Sequence, residues 1–138
     1  MIWWVEMTES NACTQAARDQ IELARTECLS LKHKALMLVR SFKKPPQAIQ
    51  QVFIAVNILC SDTFSPDWDD TKKILFCSPD KHGSINSIIR RFDVDNVDRD
   101  RVLLAGQVIR GLEEESVYII EEYSVVFFRF VRAVCDNL

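Results

Sequence analysis

The proline pair Pro45-Pro46 is the sequence feature that most constrains how this chain can fold. A proline inside a helix lacks the N–H that the helix needs, and its ring clashes with the preceding turn. Proline also moves the residue before it out of the helical region, so Lys44 and Pro45 are predicted to be extended. At the first position of a helix, by contrast, proline is well tolerated. The pair therefore predicts a sharp corner, with one helix ending near Phe42 and another beginning at about Pro46.

The segments on both sides of this corner have helical spacing. After it, apolar residues recur at steps of three and four, as in a buried helix: Ile49, Val52, Phe53, Val56, Leu59 and Cys60. Before it, residues 12–42 show alternating steps of four and three at Ala17, Ile21, Ala24, Cys28, Leu31, Ala35 and Leu38. That spacing is typical of a coiled-coil seam. An amphipathic helix packed on a bundle explains it equally well.

The rest of the chain also favours helices, because the sequence holds only three glycines and four prolines. Polar loops are predicted at 61–67 and 77–84. The predicted helices run from about Asp67 to Lys73, over 84–92, from Asp98 to Ile109 and from Glu113 to about Cys135. Trp68 is predicted to lie against the core, and Gly111 is predicted to end the helix that begins near Asp98. Two apolar runs in the last segment resemble strands when taken alone, but the helical period persists across them. The predicted fold is an all-α, compact bundle of about six helices, entered by one long coiled-coil helix.

Composition and cysteine spacing exclude several classes of protein. A formal net charge of −3 does not indicate a nucleic-acid-binding surface. No apolar run reaches the roughly 18–20 residues of a membrane span. The cysteines are odd in number and lack a CxxC pair, so neither a zinc site nor a disulfide framework is predicted: Cys13, Cys28, Cys60, Cys77 and Cys135. Cys28 and Cys60 are predicted to be small core residues.

Motifs for catalysis or cofactor binding are not found. The segment DVDNVDRDRVLL at 93–104 fits a calcium-binding loop in neither possible frame, because the required glycine and ligand positions hold other residues. Its acidic residues are predicted to cap the helix that begins near Asp98. Three scattered glycines cannot form a phosphate-binding loop, and His33 and His82 belong to no motif. We therefore expect no cofactor, no metal and no enzymatic activity.

Three motifs carry a resemblance to a known family. The string RSFKKPPQAIQQVFIAVNIL resembles the segment where the ascending stalk helix of dynein heavy chains enters the microtubule-binding domain. Trp68 in DWDDTKKIL and the stretch INSIIRRFDVDNV at 85–97 are similar to two further motifs of that family. The three motifs occur in the family's order and cover roughly residues 20–134. The last motif looks more like axonemal than cytoplasmic dyneins.

The resemblance implies an organisation of the chain. Residues 1–11 stay unassigned, 12–42 correspond to the ascending stalk helix, 43–130 to the microtubule-binding domain, and 131–138 to the start of the descending stalk helix. The ATPase ring of a dynein and most of the descending helix lie outside this chain. We therefore expect the seam of the first helix to lack its partner, and to fold back or self-associate. The implied location is the cytoplasm and cytoskeleton, in particular the ciliary axoneme.

The resemblance also implies which residues contact tubulin. Basic residues of the family meet an acidic tubulin surface, so attachment is expected to weaken with salt. The predicted contacts are Lys43, Lys44, Gln47, Gln50, Gln51, Arg99 and Arg101. Of these, Arg99 and Arg101 lie close to a basic position of the family that falls near Val102. Gln50 stands where the family often has lysine, and Glu121 and Glu122 lie near a basic position of the family's last helix. The alternative is a helical interaction module that has lost tubulin affinity and pairs through its exposed seam.

Overall fold

A computed structural model describes residues 14–31, 45–61, 67–76, 83–120 and 123–138, without the side chains of 83, 84, 119 and 120. Over these residues the chain forms a compact all-α bundle with no strand, which confirms the predicted fold class. The seven helices are α1 Gln15–Leu29, α2 Gln47–Cys60, α3 Trp68–Phe76, α4 Gly83–Arg91, α5 Arg99–Val108, α6 Glu114–Ile120 and α7 Ser124–Asn137.

Helix α2 begins directly after the proline pair. Pro46 is extended, with φ −53° and ψ 150°, and its carbonyl accepts the backbone N–H of Ile49 at 3.0 Å and of Gln50 at 3.1 Å. The helix thus begins at Gln47, one residue later than predicted, since Pro46 occupies the capping position. The end of the preceding helix, predicted near Phe42, lies outside the described residues.

Helix α2 is the centre of the core. Every residue from Val52 to Leu59 is buried, and α2 contacts each of the helices α3 to α7. The ring of Phe53 lies 5.3 Å from that of Phe76, 5.1 Å from that of Phe127 and 6.3 Å from that of Trp68. Such distances are normal for interlocking aromatic side chains. The predicted position of Trp68 against the core is confirmed.

Helices α1 and α7 run antiparallel and in contact. The Cys28 thiol donates to the carbonyl of Val126 at 3.2 Å, and the Asn137 amide donates to Gln20 Oε1 at 3.0 Å. The first turns of α1 therefore lie beside the last turns of α7.

This pairing corrects the expectation of an unpartnered seam. The seam residues Ala17, Ile21, Ala24 and Cys28 are all buried. Leu31 is half-buried against the core, and Ala35 and Leu38 lie outside the described residues. The expectation was wrong for the four residues on α1, because α7 supplies the partner within the same chain.

Helix α1 is shorter than the predicted helix over 12–42. It ends at Leu29, where the Ser30 hydroxyl donates to the carbonyl of Thr26 at 2.7 Å. Serine side chains compete in this way with regular helical bonding. The predicted helix is therefore not continuous through Ser30 and Leu31, and residues 32–42 lie outside the described part.

The predicted last helix is two helices. Arg129 of α7 forms an ion pair with Glu114 of α6, fifteen positions earlier in the chain. In one straight helix that separation would span about 22 Å. The chain therefore reverses between the two helices, and Tyr123 lies in a turn. As a consequence Val117 faces the core of the bundle, whereas Ser116 is exposed.

The sequence signals at the two ends of α5 are confirmed. The Asp98 carboxylate accepts the backbone N–H of Asp100 at 2.9 Å, which is the expected N-terminal cap. Gly111 follows the helix with φ 87°, a conformation that glycine adopts without strain. Asp98 thus serves as a helix cap.

The aromatic cluster predicts a large effect of core truncation. Replacing Phe127 by Ala should lower the free energy of unfolding by about 3–5 kcal/mol, because the cavity beside Phe53 would remain unfilled. Urea unfolding followed by circular dichroism at 222 nm measures this change. Tyr118→Ala is the matched control, since that ring is 55% exposed, and it should cost far less. Equal losses for both variants would contradict the packing described here.

Candidate docking surface

Helices α2 and α5 pack side by side and antiparallel. The Gln51 side-chain amide donates to the carbonyl of Val108 at 3.2 Å, and the Arg101 guanidinium donates to the carbonyl of Ser61. The first half of α2 therefore lies beside the end of α5, and the end of α2 lies beside the start of α5. The two contacts are ten residues apart along α2 and seven residues apart along α5, which corresponds to roughly 15 Å and 10 Å of helix.

Three of the predicted tubulin contacts hold the fold together. The Gln50 amide donates to the carbonyl of Pro45 at 2.7 Å, and this hydrogen bond connects the proline pair to the first turn of α2. Gln51 and Arg101 join α2 to α5 through the two bonds just described, and all three side chains are only half-exposed. Their polar groups thus form hydrogen bonds within the chain.

The remaining predicted contacts divide between two places. Gln47 and Arg99 are exposed, whereas Lys43 and Lys44 lie outside the described residues. Gln47 lies on the first turn of α2 and Arg99 on the first turn of α5, at opposite ends of the antiparallel pair. The structure therefore does not bring the predicted contact residues into one cluster.

The outer face of α5 was missed by sequence reasoning. Val102, Ala105 and Ile109 face the core, while Leu103 is 61% exposed and Leu104 is 37% exposed. Within the described part of the chain, the other large exposed apolar side chains are Leu23 and Tyr118, on α1 and α6. The signal was present in the sequence, because the three-four spacing of the core residues on α5 leaves both leucines outside.

Exposed arginines accompany this apolar face. Arg99 lies on its first turn, and Arg110 follows its last turn. Neither arginine has an ion pair or hydrogen bond with the side chains of the described residues. Asp100 is also exposed and lies next to Arg99, so the face carries charges of both signs.

The acidic segment after α4 binds α1. Arg18 of α1 forms an ion pair with Asp95 at 2.6 Å. Arg25 donates to the carbonyl of Phe92 at 2.7 Å and lies 5.7 Å from the centre of that ring. The backbone N–H of Asp95 and the Asn96 amide lower the pKa of Asp93 by hydrogen bonding to its carboxylate. These contacts attach α1 to the α4–α5 connection and give the acidic motif a structural role.

An open cleft lies between α6 and α7, with a cavity volume of about 420 Å³. It is lined by Glu114, Glu115, Tyr118, Val125 and Arg129. Arg129 pairs with Glu114 and, at 3.3 Å, with Glu27 of α1, and the hydrogen bond to Glu114 is the main cause of its raised pKa. The first turn of α6 is acidic, so this side of the bundle would repel an acidic partner.

The described thiols lie in surroundings that keep them protonated. Burial raises the pKa of Cys28, and the nearby Cys60 and Glu27 raise it further. Burial also raises the pKa of Cys60 to about 12 and that of Cys135 to about 11. The core position predicted for Cys28 is confirmed, and Cys60 packs half-buried against the core.

The described residues contain no group of three or more His, Cys, Asp or Glu side chains placed to hold a metal ion. None of their helices combines the length and apolar character needed to cross a membrane.

Comparison of the chain with models of protein families, with curated proteins and with solved structures gives no match.

The different roles of Arg101 and Arg99 lead to a stability prediction. Arg101→Met should lower the free energy of unfolding by about 1.5–3 kcal/mol, because the charged hydrogen bond to the Ser61 carbonyl is lost. Arg99→Met should change it by less than about 0.5 kcal/mol, as for other exposed positions. Urea unfolding of both variants measures the difference. If the two variants were equally stable, the bond to Ser61 would contribute nothing to the fold.

The raised pKa values predict slow thiol chemistry. In a variant with Cys13→Ser and Cys77→Ser, the three remaining thiols should react slowly with Ellman's reagent at pH 8, because the thiolate is the reactive form. After unfolding in urea, all three thiols should react with the reagent at the rate of free cysteine. A thiol that reacts rapidly in the folded protein would contradict the burial described for these residues.

Proposed function

We propose that this chain is a microtubule-docking module of the dynein stalk-tip type, which attaches to tubulin and passes its bound state along the pair of helices α1 and α7. In this proposal the chain acts by binding, without catalysis or cofactor. Its place would be the cytoskeleton, with the axoneme favoured by the resemblance of the segment at 85–97.

The observation that carries the proposal is the antiparallel contact of α1 with α7. A stalk that transmits a signal needs its rising and descending helices to share an interface, and here the first and last described helices share one. The apolar seam on α1 includes two alanines, Ala17 and Ala24, so its side chains interlock less deeply than leucines would. A shallow seam favours sliding between registers, which is the motion that the family resemblance implies.

Electrostatics support attachment at the start of α5. Arg99 is exposed and has no ion pair with a described residue, so its charge is available to an acidic partner. A surface of this kind gives fast association that weakens as salt is added.

A second candidate is a helical interaction module without tubulin affinity. It is favoured by the internal use of Gln50, Gln51 and Arg101, which removes three predicted contacts from the surface. The acidic first turn of α6 also opposes an acidic partner. Pairing through the seam of α1, however, would first have to displace α7 from the four buried seam residues.

Microtubule co-sedimentation distinguishes the two candidates. The docking module should sediment with microtubules at low salt and less at moderate salt, because screening weakens exposed charge pairs. Arg99→Glu should raise the dissociation constant about fivefold, as expected for reversal of one exposed contact of about 1 kcal/mol.

Lys73→Glu is the matched control for this experiment. It makes the same change of charge at an exposed position on α3, a helix that has at most a slight contact with α5 in the described structure, and should leave binding unchanged. Sedimentation of the wild-type chain no better than that of an unrelated acidic protein would contradict the proposal. Light scattering that showed a dimer in that case would favour the second candidate.

A further inference from the structure

We propose that Arg129 of α7 fixes the register of α1 against α7, because it binds Glu27 of α1 and Glu114 of α6 at the same time. We call these three side chains the register bridge. The inference rests on the proposed function and deepens it, since the same interface is proposed there to carry the bound state. It assigns the choice of register to polar side chains beside the seam.

The apolar seam of α1 does not select one register by itself. Moving α1 by one step of the seam, three or four residues, shifts it by roughly 5 Å along α7. The positions that now hold Ala17, Ile21, Ala24 and Cys28 would then hold Ile21, Ala24, Cys28 and Leu31, which are apolar as well. The sizes of the side chains change, but their apolar character does not. The apolar pattern therefore fits both registers.

The contact of Arg129 with α1 fits only the present register. Its Nη1 atom lies 3.3 Å from Oε2 of Glu27. The same movement of α1 would place Ser30 or Leu31 opposite Arg129, and neither residue carries a charge. The ion pair between the two helices would be lost.

The other polar contact between α1 and α7 shows the same dependence. The Asn137 amide donates to Gln20 Oε1 at 3.0 Å. After the movement, Leu23 or Ala24 would stand in the place of Gln20, and neither side chain can accept a hydrogen bond. This contact also belongs to one register.

The far side of α1 adds a penalty for the shifted register. Arg18 now forms an ion pair with Asp95 at 2.6 Å. A movement of four residues would bring Glu22 to the place of Arg18, so that a carboxylate would face Asp95. Like charges at this distance repel each other. Charged residues on both sides of α1 thus favour the register that the structure shows.

Arg129 has a property that suits it to this role. Its contact with Glu114 lies between α6 and α7, so it does not depend on the position of α1. Glu114 therefore holds the guanidinium where Glu27 can reach it. The side chains of Arg129 and Glu27 are 47% and 39% exposed, and ion pairs of such exposure are weak. The register bridge thus favours one register without making it permanent.

Disulfide trapping reports the register directly. In the Cys13→Ser, Cys77→Ser background, Val126→Cys traps the present register with the native Cys28, whose Sγ atom lies 3.2 Å from the Val126 carbonyl oxygen. Val126→Cys with Leu31→Cys and Cys28→Ser traps the shifted register. Oxidised glutathione drives both reactions, and peptide mass spectrometry identifies each disulfide. Each rate is compared with that of the same trapping variant in which Arg129 is retained.

Removal of the register bridge should favour the shifted register. Arg129→Met should raise the rate of the disulfide between positions 31 and 126 about fivefold relative to that between 28 and 126, as expected for loss of one exposed ion pair. Arg132→Met is the matched control, because Arg132 pairs with Asp136 of α7 itself at 3.7 Å and should leave the ratio unchanged. Arg129→Lys keeps the charge and should restore most of the wild-type ratio.

The ratio of the two rates separates a change of register from a loss of stability. Partial unfolding would accelerate both disulfides, whereas a movement of α1 accelerates one and slows the other. Thermal unfolding of each variant shows how far stability has changed. An unchanged ratio in Arg129→Met, or an equal acceleration of both disulfides, would overturn the inference.

Microtubule co-sedimentation of the wild type separates this inference from the function on which it rests. If the wild type binds microtubules and the ratio is unchanged in Arg129→Met, the register bridge is overturned and the docking function stands. If the ratio rises and the wild type does not bind, the register bridge stands and the docking function is overturned.

Discussion

Burial of α2 from Val52 to Leu59 is the constraint on which the rest of the structure depends. A helix with no exposed side in its second half must be covered all around, and α3, α4, α5, α6 and α7 provide that cover. The extended Pro46 fixes where this helix begins, and the ring of Phe53 holds three other aromatic rings around it. The orientation of α5, and hence what it presents to a partner, follows from its packing on α2.

The sequence predicts local structure well because caps and breakers act over a few residues. The helix start after the proline pair, the cap at Asp98, the glycine after α5 and the inward Trp68 are all recovered. Longer-range relations are not recovered, since a helical period identifies an inward face but not the helix that covers it. The seam of α1 was therefore expected to lack a partner, and the reversal near Tyr123 was not predicted, because the apolar period continues across it.

The docking surface shows the same limit of sequence reasoning. Positions carried over from a family indicate residue types. They do not show which side chains already form hydrogen bonds within the fold. Gln50, Gln51 and Arg101 were expected at the surface, and their polar groups instead satisfy backbone carbonyls of the bundle. Packing leaves Leu103 and Leu104 on the outside, where a search for charged residues alone would overlook them.

Cryo-electron microscopy of microtubules decorated with the whole chain tests the central claim most directly. The account predicts ordered decoration, with the start of α5 at Arg99 against the tubulin lattice and the α1–α7 pair free of contact with it. Bare microtubules at low salt, or decoration in which α1 and α7 form the contact, would contradict it.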